Sequence, residues 1–522
     1  MSEKRNIARA AGILGSATML SRIMGMVRDM VVSRLFGAGL ATDAFFAAFQ
    51  IPNMLRRFFA EGALTSAFVP TFASTLSVKG NEKARELANT CVTLLTIVMA
   101  IITLAGIILS PLIVGLMFPG FKAEPGKLEL TILLNRLMFP YIFFISLVAL
   151  CMGVLNTLRH FFTPAISTVF LNVAMIVAAL CLRGFFEAPI TALAVGVLIG
   201  GCIQLLIQLP VLRSKGFSLK PNFNFNSPEV RSIALLMLPS IFGVGVYYLN
   251  ITVSAILASL LPQGSISYLY YAQRLFEFPQ GVFTASVAQA VLPSMSRQAA
   301  AGDIDGMKTS LSFGVRLMLF ITIPAMVGLM ICSKPIFSLI FMGGAFDYQT
   351  VVNSASALLY YSAGLSFVAL ARVLAPVFYA LKDTKTPVFT ALITFIVNLC
   401  LSLVLMGPMK HGGLALATSL SALCNMLMLL WFLKRKIGPF GGYNIMLTAL
   451  KSAAASLPMA AAVWYGCSLI DWSQAGHKML KSSVLGGSIL CGSAIYMLIV
   501  KLMGSEEALE VVSLLRRKMK KG

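Results

Sequence analysis

A chain of 522 residues that is 58% hydrophobic and 11% charged, with a mean hydropathy of +0.87, is not a soluble globular protein, where about a quarter of residues are charged. Apolar runs of about 20 residues recur to its end, whereas a transmembrane β-barrel would show alternating segments of about ten. The net charge of +22 does not point to nucleic acid, because the basic residues gather between apolar runs, where membrane topology puts them.

The expected fold is an all-α polytopic membrane protein of about 14 transmembrane helices. They fall near 8–36, 42–75, 86–118, 128–157, 162–182, 188–212, 229–261, 267–297, 308–341, 350–380, 386–406, 411–433, 445–469 and 479–503. Several exceed the length needed to span, so tilt and kinks are expected. The opening "MSEKRNIARA" is basic, but the run after it carries Arg22, Arg28 and Asp29 and has no small-residue cleavage site. It reads as a first helix, not a removable signal peptide.

The connecting segments alternate in charge. One side receives Lys4, Arg5 and Arg9; Lys79, Lys83 and Arg85; Arg159; Arg213, Lys215 and Lys220; Arg297 and Lys308; Lys382 and Lys385; Lys434 to Lys436; and Arg516 to Lys521. The other side receives few: Lys122, Lys127, Arg183, Lys410 and Lys478. The asymmetry predicts a multi-pass membrane protein with both termini cytoplasmic. The longest polar connection, 213–231, is too short for a soluble domain. The tail at 504–522 reads as a basic amphipathic segment, with Leu509, Val512 and Leu515 apolar.

The cysteines lie mostly inside apolar runs without CxxC spacing, so neither a disulfide framework nor a zinc site is expected. His160, His411 and His477 are far apart, each near a helix end, and read as interfacial histidines.

An internal repeat organises the chain. "AFVP" (67–70) pairs with "AVLP" (290–293), "LRHFFTP" (158–164) with "LKDTKTP" (381–387), Leu193-Ala194 with Leu416-Ala417, and Arg213 with Lys436. Every pair differs by 223 positions, as 293 from 70 and 436 from 213. The repeat unit holds an even number of helices, so both copies share one orientation, as in parallel-repeat transporters. The predicted organisation is two pseudo-symmetric six-helix lobes plus two C-terminal helices. These are an N-lobe at 1–213, a cytoplasmic linker at 214–228, a C-lobe at 229–436, helices 13 and 14 at 437–503 and a basic tail at 504–522.

Topology does not explain Arg22, Arg28, Arg56 and Arg57 in the first two helices, nor Arg274 in the eighth. A guanidinium in hydrocarbon costs from about 2.5 to over 10 kcal/mol, and arginine does not escape by losing its proton. At the 223 offset these positions become Gly245, Ile251, Pro279 and Gln280, and Arg274 maps back to Ile51. The arginines therefore belong to individual lobes and suit an asymmetric anion between them. Intrahelical pairing competes with that role for Arg57 with Glu61 and Arg274 with Glu277. Arg22 shares a face with Asp29; Arg28 and Arg56 show no partner at helical spacing; Asp43, near an outer helix end, is a cross-helix or gating acid. Gly25, Pro52 and Pro279 are the expected backbone breaks beside these charges. A planar fork of donors matches phosphate oxygens, and several arginines suit a diphosphate better than one carboxylate.

The stretch "SRIMGMVRDMVVSRLFGAGLATDAFFAAFQIPNMLRRFFAEGALTSAFVP" (21–70) resembles the N-terminal signature of the MurJ/MviN lipid II flippases, in the multidrug/oligosaccharidyl-lipid/polysaccharide exporter superfamily. "YYAQRLFEFPQGV" (270–282) is similar to their eighth helix. The resemblance implies translocation of lipid II (undecaprenyl-diphosphate-MurNAc-pentapeptide-GlcNAc) from the cytoplasmic to the periplasmic leaflet by alternating access. It places Arg22, Arg28, Arg56 and Arg274 on substrate-binding positions. Asp29, Asp43 and Glu277 match acids that organise or gate the cavity, and Asn53, Arg57 and Glu61 complete that set. Helices 13 and 14 would form the groove for the polyprenyl tail. No cofactor or catalytic residue is implied. Some members bind sodium on helices 7, 11 and 12; helix 7 here lacks a carboxylate, leaving Asn398 and Thr418 as candidate ligands. Implied partners are lipid II, the membrane and the cell-wall synthesis machinery, and the implied location is the bacterial cytoplasmic (inner) membrane. The alternatives are an exporter of another polyprenyl-linked glycan, or a membrane enzyme acting on lipid-linked cell-wall precursors. The enzyme needs a positioned carboxylate and usually a large outer loop.

Overall fold

The computed structural model describes residues 3–56 and 65–509. Arg57 and Glu61 lie outside the described residues, as does most of the tail, including Val512 and Leu515. No β-strand forms among the described residues, and an isolated bridge joins Gly343 to Phe346. The chain divides into two compact units, Met1–Ile266 and Ser267–Gly522.

The first unit holds α1 (Glu3–Phe36), α2 (Leu40–Arg56), α3 (Thr65–Ile108), α4 (Ser110–Met117), α5 (Lys127–Met138), α6 (Tyr141–Thr157), α7 (Phe162–Cys181), α8 (Thr191–Leu206), α9 (Gln208–Ser214) and α10 (Pro228–Ser259). Here α1 runs along α7, α2 lies on α5 and α6, and α3 lies between α6 and α10. The α7–α8 contact follows from glycine: a Cβ at Gly196 would sit 2.8 Å from Ala178 Cβ, and one at Gly200 2.7 Å from Leu171. Glycines four apart let two membrane helices meet backbone to backbone, which replaces the absent hydrophobic drive with close dispersion contact. Two apolar clusters fill the unit. One is built on Phe68, Phe72, Val154 and Phe217, the other on Phe118, Phe121, Phe139 and Ile142.

The second unit holds α11 (Ser265–Pro279), α12 (Ala285–Ala300), α13 (Ile304–Ile340), α14 (Tyr348–Ser362), α15 (Leu365–Ala380), α16 (Lys385–Ile437), α17 (Gly442–Ser468) and α18 (Lys478–Leu502). At its centre α13 touches α12, α14, α15, α17 and α18. Met307, Met318, Leu374, Phe378 and Leu433 form one core, and Phe320, Met459, Val463 and Tyr496 a second.

The fourteen expected helices account for these elements, with local differences. Expected helices 11 and 12 form one run, α16, broken at Lys410, where φ is 50° and ψ −131°. Expected helix 10 bends by 42° between α14 and α15. Pro279 ends α11 and a five-residue π-turn, Gln280–Thr284, follows; a proline that removes a ladder bond commonly leaves such a defect. The break expected at Gly25 does not occur: α1 passes through it unbroken. Its missing side chain instead lets α7 approach, since a Cβ there would lie 3.9 Å from the Asn172 amide. Eight described helices are long and apolar enough to span a membrane, or nine with the bent pair taken as one.

The 223-residue repeat is written in the backbone. Arg159 and Lys382 both adopt φ 58°, in the left-handed region that side chains disfavour. The turns around them close identically: His160 N donates to Leu155 O and Asp383 N to Phe378 O, both at 2.8 Å. His160 then meets the Thr163 hydroxyl at 2.8 Å, as Asp383 meets that of Thr386 at 2.8 Å. In the second copy Lys436 Nζ also donates to Asp383 at 2.6 Å.

Candidate functional site

The charged residues of α1 are ordered by an immediate neighbour. Arg28 donates from Nε and Nη2 to Asp29 Oδ1, at 3.0 and 2.7 Å, and from Nη1 to Asn172 Oδ1 at 3.1 Å. Asn172 Nδ2 donates back to Thr168 O at 3.2 Å and Ser21 O at 3.5 Å, which fixes its amide. Arg28 and Asp29 are 5% and 3% exposed, a depth at which a lone guanidinium would not stay charged cheaply. Pairing at i,i+3 or i,i+4 was the spacing expected, and it missed this i,i+1 arrangement. Asn172 was missed too, since an asparagine in an apolar run carries no signal of its partner. Arg22, one face round on α1, is exposed.

On α2, Arg56 Nε donates to Asn53 Oδ1 at 3.1 Å, a helical i,i+3 contact that supplies the partner not found by charge alone. Pro52 lies inside that helix. At its other end Asp43 is 1% exposed. Its Oδ2 accepts from Lys127 Nζ at 3.1 Å and from the Gly264 amide at 2.7 Å. Lys127 is itself 1% exposed, 3.1 Å from Glu124 and 4.4 Å over the Phe121 ring. It looks in sequence like a loop charge set by topology, yet it is the counter-ion of Asp43. The expected cross-helix pairing of Asp43 thus has a named partner.

In the second unit, Arg274 Nε and Nη2 reach the Tyr270 hydroxyl at 3.3 and 3.2 Å, with the guanidinium 5.3 Å from that ring. Its approach to Glu277 is 3.8 Å, too long for a hydrogen bond. Gln273 donates to Glu277 at 3.3 Å. The expected Arg274–Glu277 pair is therefore loose, with Arg274 half-buried and Glu277 exposed.

The sodium candidates fall on opposite sides of the α16 break at Lys410. Asn398 is buried and accepts from Ser402 at 3.5 Å; the Thr418 hydroxyl donates to Leu414 O at 2.9 Å. No group of three or more His, Cys, Asp or Glu gathers among the described residues.

An all-helical membrane chain of this plan has the fold of a polytopic membrane transporter. A solved inward-facing multidrug MATE-family transporter matches it with TM-score 0.67 at 14% identity over 82% of this chain and 98% of that one, a likeness of fold alone. The sequence profile of the family described as lipid II flippase MurJ matches residues 32–482, and the chain belongs to that family. A Vibrio cholerae O1 protein described as a probable lipid II flippase MurJ is 37% identical over 515 residues, covering 96% of this chain and 97% of that protein. The Burkholderia cenocepacia lipid II flippase MurJ is 34% identical over 511 residues, covering 96% and 98%. A solved lipid II flippase MurJ in an inward closed conformation matches with TM-score 0.77 at 27% identity over 94% and 98% of the two chains. The chain is thus a multi-pass inner-membrane protein of a transporter family.

Proposed function

We propose that this protein is a lipid II flippase, moving the undecaprenyl-diphosphate-linked peptidoglycan precursor from the cytoplasmic to the periplasmic leaflet by alternating access, with both termini cytoplasmic. The observation that carries the assignment of residues is Arg28, buried in α1 yet held charged by Asp29 and Asn172. A guanidinium fixed by two side chains is pre-organised, so less freedom is lost when phosphate oxygens arrive. Arg22 and Arg56 on α1 and α2, and Arg274 on α11, are the other diphosphate- or sugar-binding groups, while Asp29, Asp43, Asn53, Arg57, Glu61 and Glu277 organise or gate the cavity. The lobes are 1–213 and 229–436, and 437–503 forms the tail groove. Sodium binding at Asn398 and Thr418 is the less economical coupling. Membrane potential acting on cavity charge supplies about 2.3 kcal/mol per charge per 100 mV.

Depletion complementation tests the reading. Arg28→Ala and Arg274→Ala should each fail to support growth while the protein still inserts, and normal growth with both would overturn it. Polymerised glycan from purified protein and lipid II would instead indicate an enzyme, and transport of a different polyprenyl-linked glycan in preference to lipid II would indicate another exporter.

A further inference from the structure

Helix α13 carries four polar attachments to the α17–α18 hairpin, spaced along its length. Near its start, Arg316 Nη1 lies 2.8 Å from Glu506 and 3.3 Å from Glu507. Glu507 follows α18, is 3% exposed, and also accepts from Thr448 of α17 at 3.0 Å and from Ser505 at 2.7 Å. One turn on, Phe320 O accepts from the Tyr496 hydroxyl of α18 at 2.7 Å. Further along, Cys332 of α13 and Cys467 of α17 are neighbouring thiols in one apolar cluster. At the far end, Lys481 of α18, 3% exposed, donates to Ser338 Oγ at 2.9 Å and Gln474 O at 2.6 Å. Ser338 in turn donates to Trp472 O at 2.7 Å.

From Arg316 to Ser338 is 22 residues, about 33 Å at 1.5 Å per residue, which matches the hydrocarbon thickness. Apolar packing gives little preference between helices in lipid, where tails are as apolar as leucine. A buried lysine at one face and a buried glutamate at the other supply it, because sliding or tilting the hairpin by a single turn would strand both charges. Neither group has a place among the cavity residues, and neither belongs to the 223-residue repeat, since the hairpin lies outside it.

We propose that Lys481 and Glu507 are positioning residues that clamp the α17–α18 hairpin to α13 at both membrane faces. The three helices then move as one rigid body through the transport cycle, and the tail path along the hairpin stays in register with α13. This rests on the flippase reading and names which part of the protein does not rearrange.

The native thiols provide the test. In a variant whose other seven cysteines are serine, copper–phenanthroline oxidation joins Cys332 to Cys467. Each thiol gives up a proton and an electron, with dioxygen as terminal acceptor, and mass spectrometry verifies the bond. Lipid II transport is measured in proteoliposomes. The cross-linked protein should transport within about twofold of its reduced form. The Lys481→Met/Glu507→Gln double variant should lose at least fivefold while reduced and recover most of that on oxidation, as a covalent clamp replaces the polar one; Lys481→Arg should stay near the parent. Inactivity of the cross-linked parent, or a double variant that loses nothing or is not rescued, would overturn the clamp. Failure of the reduced parent to move lipid II at all would instead count against the flippase reading.

Discussion

Asp43 and Lys127 form an ion pair at 3.1 Å with both side chains about 1% exposed, although 84 residues separate them in sequence. The Gly264 amide also donates to the carboxylate, at 2.7 Å. A buried pair of this kind is weak evidence for net stability, but breaking it from one side leaves an uncompensated charge, at about 3–5 kcal/mol.

Lys127→Met should therefore destabilise the detergent-purified protein more than the double variant Lys127→Met/Asp43→Asn, in which neither charge remains. A thermal-unfolding double-mutant cycle checks this, and additive losses would rule out the pair as a coupled unit.

Arg28 needs both Asp29 and Asn172 to hold its fork in place. Arg28→Lys should fail to rescue function, because an ammonium cannot span two acceptors as a guanidinium does. Asn172→Leu, which keeps volume but removes the acceptor at 3.1 Å, should cut transport about tenfold, near 1.4 kcal/mol. Complementation at graded expression resolves the difference.

The α7–α8 contact depends on two glycines. Gly200→Leu would drive side-chain atoms into the backbone of Leu171, 3.1 Å from the position of a Cβ. Overpacking of this kind costs about 1–3 kcal/mol, so the variant should melt several degrees lower and insert in smaller amount, while Gly115→Leu, where a Cβ meets nothing within 4 Å, should be neutral.

The Lys436 hydrogen bond, then the Thr386 amide, hold the Asp383 carboxyl well below the usual carboxylate range. A depressed folded-state value means stabilisation present above the unfolded value, near 3.9, and lost as pH falls through the folded one. Asp383→Asn should therefore be less stable than the parent from neutral pH to about 5, with the gap closing only in stronger acid. Melting temperatures across pH measure it. At the matching repeat position His160 takes the acid's place; burial lowers its affinity for a proton, so by the same linkage that copy also loses stability on acidification, but beginning nearer pH 6.5, about the ordinary histidine value.

The helices were readable because a bilayer demands long apolar runs, and the repeat because loop charges and turn residues such as Arg159 and Lys382 answer to topology and backbone. The arginines of α1 were readable by their cost alone. Their partners were not. Asp29 is adjacent to Arg28, outside helical-face spacing, and Asn172 is 144 residues away. Lys127, Lys481 and Glu507 sit at helix ends, where sequence cannot separate a solvated charge from one folded under a loop. The break within α16 was readable too, since the boundary expected between helices 11 and 12 at 406–411 falls at Lys410, where φ is 50° and ψ −131°.

On the proposed reading, Arg28 of α1 and Arg274 of α11 bind a lipid-linked diphosphate as it crosses the membrane. The most direct measurement is leaflet exchange of labelled lipid II in proteoliposomes, comparing the parent chain with Arg28→Ala and Arg274→Ala at equal reconstitution. Exchange by the parent and background exchange by both variants is the predicted result; exchange undiminished in both variants would contradict it.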